Sequence, residues 1–297
     1  MSAVRRTLLR SRSAAQQLPA MGASMTELAS IDDLVIELPA RPAVLAELTA
    51  ELESFDPDFR KVSKLINNDI GLAAAVVKTA NSPLFGVSGR IVSVQQAINY
   101  LGLAQVFSLV TGVMLRRAFP DADPLLDTLW QISSTRAAIM GRLARNTLLA
   151  PDRAYTVGLF QDCGVALLAT RSKDYRRTWE RTRWLPAPLE IEQHEHEIDH
   201  ATVSAALVRH WGLAGEISQA VEHHHNVDML DAAQISRTQS LIALSMFANF
   251  TLAQTRSQDL SAWAGPVGKA GAIFNLLPAV TQSWIEQASA LIEGSPR

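Results

Sequence analysis

The sequence predicts an all-α fold in which an N-terminal helical bundle packs on a second helical half. Three observations carry that expectation. Apolar residues recur at i, i+3, i+4 and i+7 through most of the chain, which gives each helix an inward stripe. Breaks at proline, glycine or asparagine interrupt the pattern roughly every ten to fifteen residues, a spacing that suits a compact bundle rather than a coiled coil or solenoid. Of the 297 residues, 48% are hydrophobic and 19% charged, which supports a sizeable core and argues against disorder.

Residues 1–27 read as a flexible basic tail. Arg5, Arg6, Arg10 and Arg12 lie in a stretch with no acid up to Ser24 and no apolar run long enough for a secretory signal. Met21 and Met25 are alternative starts. The first helical half is placed at 28–122. Ile31, Leu34, Val35 and Leu38 share a helix face, Ser30 and Asp33 are spaced like a capping box, and Pro39 stops that helix. Pro42 suits the first turn of a helix carrying Val44, Leu45, Leu48 and Leu52. Asp56-Pro57-Asp58 breaks the chain and caps a helix with Phe59, Val62 and Ile66. Gly71–Ala80 follows and stops at Asn81-Ser82-Pro83. Arg90–Val94 is the one stretch that reads as extended. Gln95–Leu101, C-capped by Gly102, and Val106–Ala118 complete this half, and Pro120–Pro124 is the boundary loop.

The second half, 123–230, is expected to hold helices at Leu125–Leu149, Thr156–Ala169, Thr202–Trp211 and Gly215–His225. Pro186-Ala187-Pro188 marks a loop, and the acidic run Glu190–Glu197, with His194 and His196, reads as solvated. Residues 231–297 add Thr238–Gln254 and Ala279–Glu293 as a helical extension packed on the second half.

Several function classes are disfavoured. A formal net charge of −2 offers no field for nucleic acid or acidic membranes. Four tail arginines without interleaved aromatics give only weak, salt-sensitive attraction, so no nucleic-acid partner is expected. No run reaches the roughly eighteen apolar residues of a membrane span; Val106–Leu115 is interrupted by Ser108, Thr111 and Gly112. The single cysteine, Cys163, excludes an internal disulfide and fits a reducing cytoplasm. Flanked by Gly164-Val165-Ala166, it reads as a buried thiol rather than a nucleophile. There is no Gly-x-Ser-x-Gly elbow and no phosphate-cradling glycine loop.

Three blocks of sequence remain to be placed. The first is Leu38-Pro39-Ala40-Arg41-Pro42. The second is Ala80-Asn81-Ser82-Pro83-Leu84-Phe85-Gly86, followed by Ile91–Val94 and by Gln96-Ala97-Ile98 with Leu101-Gly102. The third runs from Gly158-Leu159-Phe160-Gln161-Asp162 through His200 to Trp211-Gly212-Leu213 and His223-His224-His225. Together they resemble the HDOD domain, the "HD-related output domain" of bacterial signalling proteins, a degenerate branch of the HD phosphohydrolase superfamily. In the hydrolases the equivalent of Gly158–Gly164 reads roughly Gly-Leu-Leu-His-Asp-Ile-Gly, and its His-Asp pair binds a metal. Here Gln161 stands for the histidine and Asp162 alone remains. The pattern also implies an earlier histidine just after Trp130, where this chain has Gln131-Ile132-Ser133.

Helix faces indicate what became of that site. His200 lies one turn ahead of the face of Val203, Leu207 and Trp211. His224 shares a face with Ile217, Ala220 and Val221, which leaves His223 and His225 towards the flanks. Asp162 goes with Leu159 and Ala166. Asp162, His200 and His224 are therefore expected to converge, as a residual metal or phosphate site or as buried polar groups that satisfy one another. Ligand arithmetic favours the second outcome, because Ile132 cannot ligate and Gln161 is a neutral amide. Three consecutive helical histidines point in three directions, so His223-His224-His225 is not read as a chelating triplet. No catalytic residue, metal or cofactor is expected; a metal, if bound, would fall to Asp162, His200 and His224.

The resemblance implies a non-catalytic regulatory role, often tied to motility, biofilm, stress or cyclic-di-GMP networks. The implied partner is a kinase, receiver or cyclic-di-GMP enzyme held non-covalently in the cytoplasm. The alternative is a divergent metal-dependent HD-type phosphohydrolase. The family-specific positions Asn81, Ser82, Pro83 and Arg90 are the interaction candidates, although the residues alone read Asn81-Ser82-Pro83 as a hydrogen-bonded turn. Homo-oligomerisation is left open.

Overall fold

The computed structural model describes residues 25–27, 37–82, 85–87, 89–120 and 123–293. The fold is all-α apart from one short antiparallel pairing of β1 (Met25–Glu27) with β2 (Glu37–Pro39). Leu38 thus lies in a strand rather than at the end of a helix, and the rest of the helix expected around Ile31 and Leu34 falls outside the described residues. Met25–Glu27, expected as tail, is paired instead. Buried Leu38 leaves the strand pointing into the core.

The N-terminal half contains α1 (Ala43–Leu52), α2 (Phe59–Asn67), α3 (Ile70–Ala80), α4 (Val94–Leu101) and α5 (Leu103–Arg117). Its helix starts are written in local chemistry. The Asp58 carboxylate accepts from the amides of Arg60 and Lys61, Asp69 from Leu72, and Ser93 from Gln96. Arg90–Val94 is not a strand: the Asn81 amide closes this segment, donating to the Ile91 carbonyl at 2.7 Å and accepting from its amide at 2.9 Å. Gly102 joins α4 to α5 at φ +83°, a backbone conformation that side chains with a Cβ rarely adopt.

The second half holds α6 (Pro124–Ala144), α7 (Pro151–Phe160), α8 (Cys163–Arg171), α9 (Lys173–Thr182), α10 (Leu189–His196), α11 (His200–His210) and α12 (Gly215–Glu222). Then come α13 (Arg237–Thr255), α14 (Ala264–Ile273) and α15 (Pro278–Glu293). α6 and α7 form the most extensive helix pair, α5 packs on α7 to join the halves, and α13 packs on α6, α7 and α12. The indole of Trp211 adds a second tie between the halves. It is fully buried, donates to the Pro39 carbonyl at 2.9 Å, and meets Phe160 edge-on.

Four boundaries differ from the sequence reading in ways that build the site. The helix expected over Thr156–Ala169 is two helices, broken at Gln161-Asp162, because both side chains turn inward to polar partners. The helix expected to reach His225 ends at Glu222, and His223-His224-His225 form a turn. The helix expected to reach Leu149 ends at Ala144. Glu190–Glu197 is not a solvated loop: most of it is α10, with Glu192 and His196 buried. The charge-rich α9 was not anticipated, since Tyr175, Thr178, Trp179 and Thr182 form a narrow inward face among many charges.

Gly164 sets how closely α8 and α11 approach. A Cβ there would sit 2.3 Å from the His200 carbonyl oxygen and 2.9 Å from the Ser204 amide nitrogen. Both obstacles are backbone, so Gly164→Ala is expected to destabilise the protein by about 1–3 kcal/mol in chemical denaturation. Unchanged stability would mean that the two helices separate freely.

Candidate functional site

The site lies where the α7–α8 break, the start of α11, the turn after α12 and the middle of α13 meet. Asp162 is buried at the break, and its two oxygens face different partners. Oδ2 accepts from Arg136 Nη2 at 2.6 Å. Oδ1 lies 3.3 Å from His224 Nε2 and 3.5 Å from His200 Nε2. The two histidine Nε2 atoms are 3.4 Å apart. The structure therefore brings Asp162, His200 and His224 together.

Each histidine is oriented from behind. The ring Nδ1 of His200 sits 2.9 Å from the carboxylate of Glu192, which also accepts from the His200 amide and the Tyr175 hydroxyl. His224 Nδ1 donates to the Val221 carbonyl at 2.7 Å. His225, expected on the flank, turns in as well: its Nδ1 donates to the Pro186 carbonyl at 2.9 Å. Asp162, His200, His224 and His225 each offer one ligand atom, and all four atoms lie within 4.8 Å of one another. Ending the helix at Glu222 made this possible, because residues in a turn are free of helical spacing.

Burial disfavours the charged form of all these groups, and their neighbours decide the outcome. For Asp162, burial is outweighed by the Arg136 guanidinium and then by His224 and His200, which hold the carboxyl well below its usual range. For His200, burial is outweighed by the Glu192 carboxylate and then Asp162, raising it to about 9. Burial dominates at His224, which is lowered, and at His225, lowered further with like-charge opposition from His224 and His200. Cys163 is buried and its thiol is pushed up to about 12, so it has no nucleophilic character.

The two positions that lost their ligands hold something else. Ile132 is buried apolar surface. Gln161 is fully buried and accepts from the Ser245 hydroxyl at 2.8 Å, while its amide nitrogen donates to Asn249 at 3.5 Å. Arg136 Nε donates to the same Asn249 oxygen at 2.6 Å. A guanidinium thus stands against Asp162 where the sequence pattern implies metal chemistry. A narrow cleft, with about 320 Å³ of empty space including its mouth, reaches this floor past Arg136, His225, Trp179, Arg183 and Trp263.

Sequence reasoning missed Arg136, Glu192, Ser245 and Asn249. Two of the signals were legible. Arg136 is four residues beyond Ile132, so it shares the helix face of the lost ligand. Ser245 and Asn249 are an i, i+4 polar pair inside a run that is apolar all round. Glu192 carried no such mark in its acidic run. Of the interaction candidates, Asn81 and Ser82 are half-buried, Arg90 is exposed, and Pro83 lies outside the described residues.

The family model for the HDOD domain matches residues 38–227. The chain belongs to the HDOD family. A crystal structure of an HDOD domain protein with unknown function from Geobacter sulfurreducens has the same fold, with a TM-score of 0.64 at 22% identity over 98% of both chains. A candidate signal transduction protein from Marinobacter aquaeolei VT8 matches with a TM-score of 0.67 at 22% identity, over 98% of this chain and 64% of that one. At these identities the likeness is one of fold. An uncharacterized protein of Treponema pallidum (strain Nichols) is 25% identical over 232 residues, 75% of this chain. The chain spans 44% of that relative's length. Among the described residues, no helix is long and apolar enough to cross a membrane.

Proposed function

We propose that this HDOD chain is a cytoplasmic signal-transduction module that acts through protein partners and hydrolyses no phosphate ester. The observation that carries this reading is the Arg136–Asp162 ion pair, 2.6 Å long and almost wholly buried. An HD hydrolase needs ions with an open coordination position for the attacking water. Here Ile132 and Gln161 replace ligands, and a guanidinium neutralises the surviving carboxylate. Family membership and the fold shared with a signal-transduction neighbour support the regulatory role. The junction of the two halves is the favoured partner surface, since Arg90 is exposed and Val92 beside it is 65% exposed.

The second reading, a divergent metal-dependent phosphohydrolase, draws on the four converging ligand atoms. Activity assays separate the two. The purified chain, supplied with manganese, magnesium or zinc, is expected to leave cyclic-di-GMP and bis(p-nitrophenyl) phosphate intact. Turnover that disappears in Asp162→Asn would establish the hydrolase instead. Arg90→Glu is expected to abolish partner capture from the native bacterium while melting stays unchanged; retained capture would move the partner surface elsewhere.

A further inference from the structure

We infer that the cleft over Arg136 and Arg183 binds a small organic monocarboxylate, with its carboxylate held by these guanidiniums and its apolar body in the aromatic mouth. This goes beyond the signalling reading and does not rest on it.

A guanidinium carries its N–H donors at three corners of one plane. At Arg136, Nε donates to Asn249 and Nη2 to Asp162, so two corners are taken. The third, Nη1, is buried without a partner, on a residue that is only 3% exposed and lines the cleft. A buried N–H with no acceptor is rare, and an anion entering the cleft supplies one. Arg183 stands at the mouth of the same cleft, and its Nε is also buried and unpartnered. Its guanidinium lies 4.9 Å from the ring centroid of Trp179 and 5.5 Å from that of Trp184. Stacking holds the charge in place without using its N–H donors. Among the described residues Arg183 forms no ion pair, and the fields of Glu180 and Arg256 oppose each other there.

The charges already present select the charge of the ligand. Asp162 and Glu192 place two carboxylates at the floor, set against Arg136 and His200. Arg183 is the cation left over, which suits a monoanion better than a doubly charged phosphate. A flat carboxylate also matches the planar fork of a guanidinium. The walls select the rest of the molecule. Trp179, Trp263, Leu185 and Pro188 line them with apolar surface, and Leu185 is 39% exposed. An apolar lining with few, placed polar groups is the usual make-up of a small-molecule site.

The test titrates the full chain with benzoate, read by isothermal calorimetry and by melting temperature. Saturable binding of about one benzoate per chain, millimolar or tighter, is expected, with a raised melting temperature. Benzamide, which keeps the ring but not the charge, should not bind, and phenyl phosphate should bind more weakly than benzoate. Arg183→Gln removes the charge at the mouth; Arg136→Lys keeps a charge for Asp162 and removes Nη1. Each is expected to weaken benzoate binding by about tenfold or more. Leu185→Asp should abolish binding, and Arg177→Gln, at an exposed position of α9, should leave it unchanged. Circular dichroism checks folding; if Arg136→Lys unfolds, Arg183→Gln and Leu185→Asp decide, since both side chains lie at the mouth. Binding that does not saturate, benzamide binding as well as benzoate, or unchanged affinity in Arg183→Gln would overturn the site. Phenyl phosphate binding more tightly than benzoate would overturn the monocarboxylate and assign the cleft to phosphate esters. Partner capture is untouched by either result, since Arg90→Glu tests it separately.

Discussion

Replacing Arg136 with alanine is expected to destabilise the protein by about 3–5 kcal/mol, because it strands the Asp162 carboxylate in a buried pocket. The Arg136 side chain is 4% exposed and that of Asp162 is 11% exposed, so the carboxylate keeps little solvation once its partner is removed. The same substitution removes the Nε donor on the Asn249 oxygen, leaving it only a longer contact to Gln161. Removing both charges should cost less than the sum of the single losses, since neither is then left unpaired. Chemical denaturation of Arg136→Ala, Asp162→Ala and the double variant measures this coupling. Additive losses would mean that the pair contributes nothing beyond its two separate side chains.

Trp211→Ala is expected to cost a further large amount, about 3–5 kcal/mol, through the cavity it leaves. The indole is fully buried at the end of α11, packs edge-on against Phe160 in α7, and its N–H holds the β2 carbonyl of Pro39. Trp211→Phe keeps most of the packing and loses the donor, which leaves the Pro39 carbonyl unsatisfied at a cost of about 1–3 kcal/mol. Thermal denaturation of the two variants separates packing from hydrogen bonding. Equal melting temperatures for Trp211→Phe and wild type would show that the Pro39 contact does not join the two halves.

Most of the helices were legible because their signals are local. Asp58 caps the helix that follows it, and apolar spacing marks the inward faces of α2 and α4. The Asn81 turn was also legible, since an amide before Ser-Pro closes a loop on its own backbone. The site was legible in part. Asp162, His200 and His224 could be placed on inward faces, and the missing ligands at Ile132 and Gln161 could be named. Their replacements could not, since Asn249 is 113 residues from Arg136 and 88 from Gln161 in the chain.

By itself, the sequence determined the all-α class, the HDOD family and the loss of two hydrolase ligands. The class follows from local periodicity and local caps; the family and the lost ligands follow from the resemblance of three sequence blocks to the HDOD pattern and from the identity of single residues within them. Only the tertiary structure decided what the remnant site became. It ended α12 at Glu222, which turned His225 inward; it buried Glu192 behind His200; and it set Arg136 against Asp162. The physical reason is that a buried polar group must find partners wherever the fold supplies them, and those partners came from helices far apart in the chain.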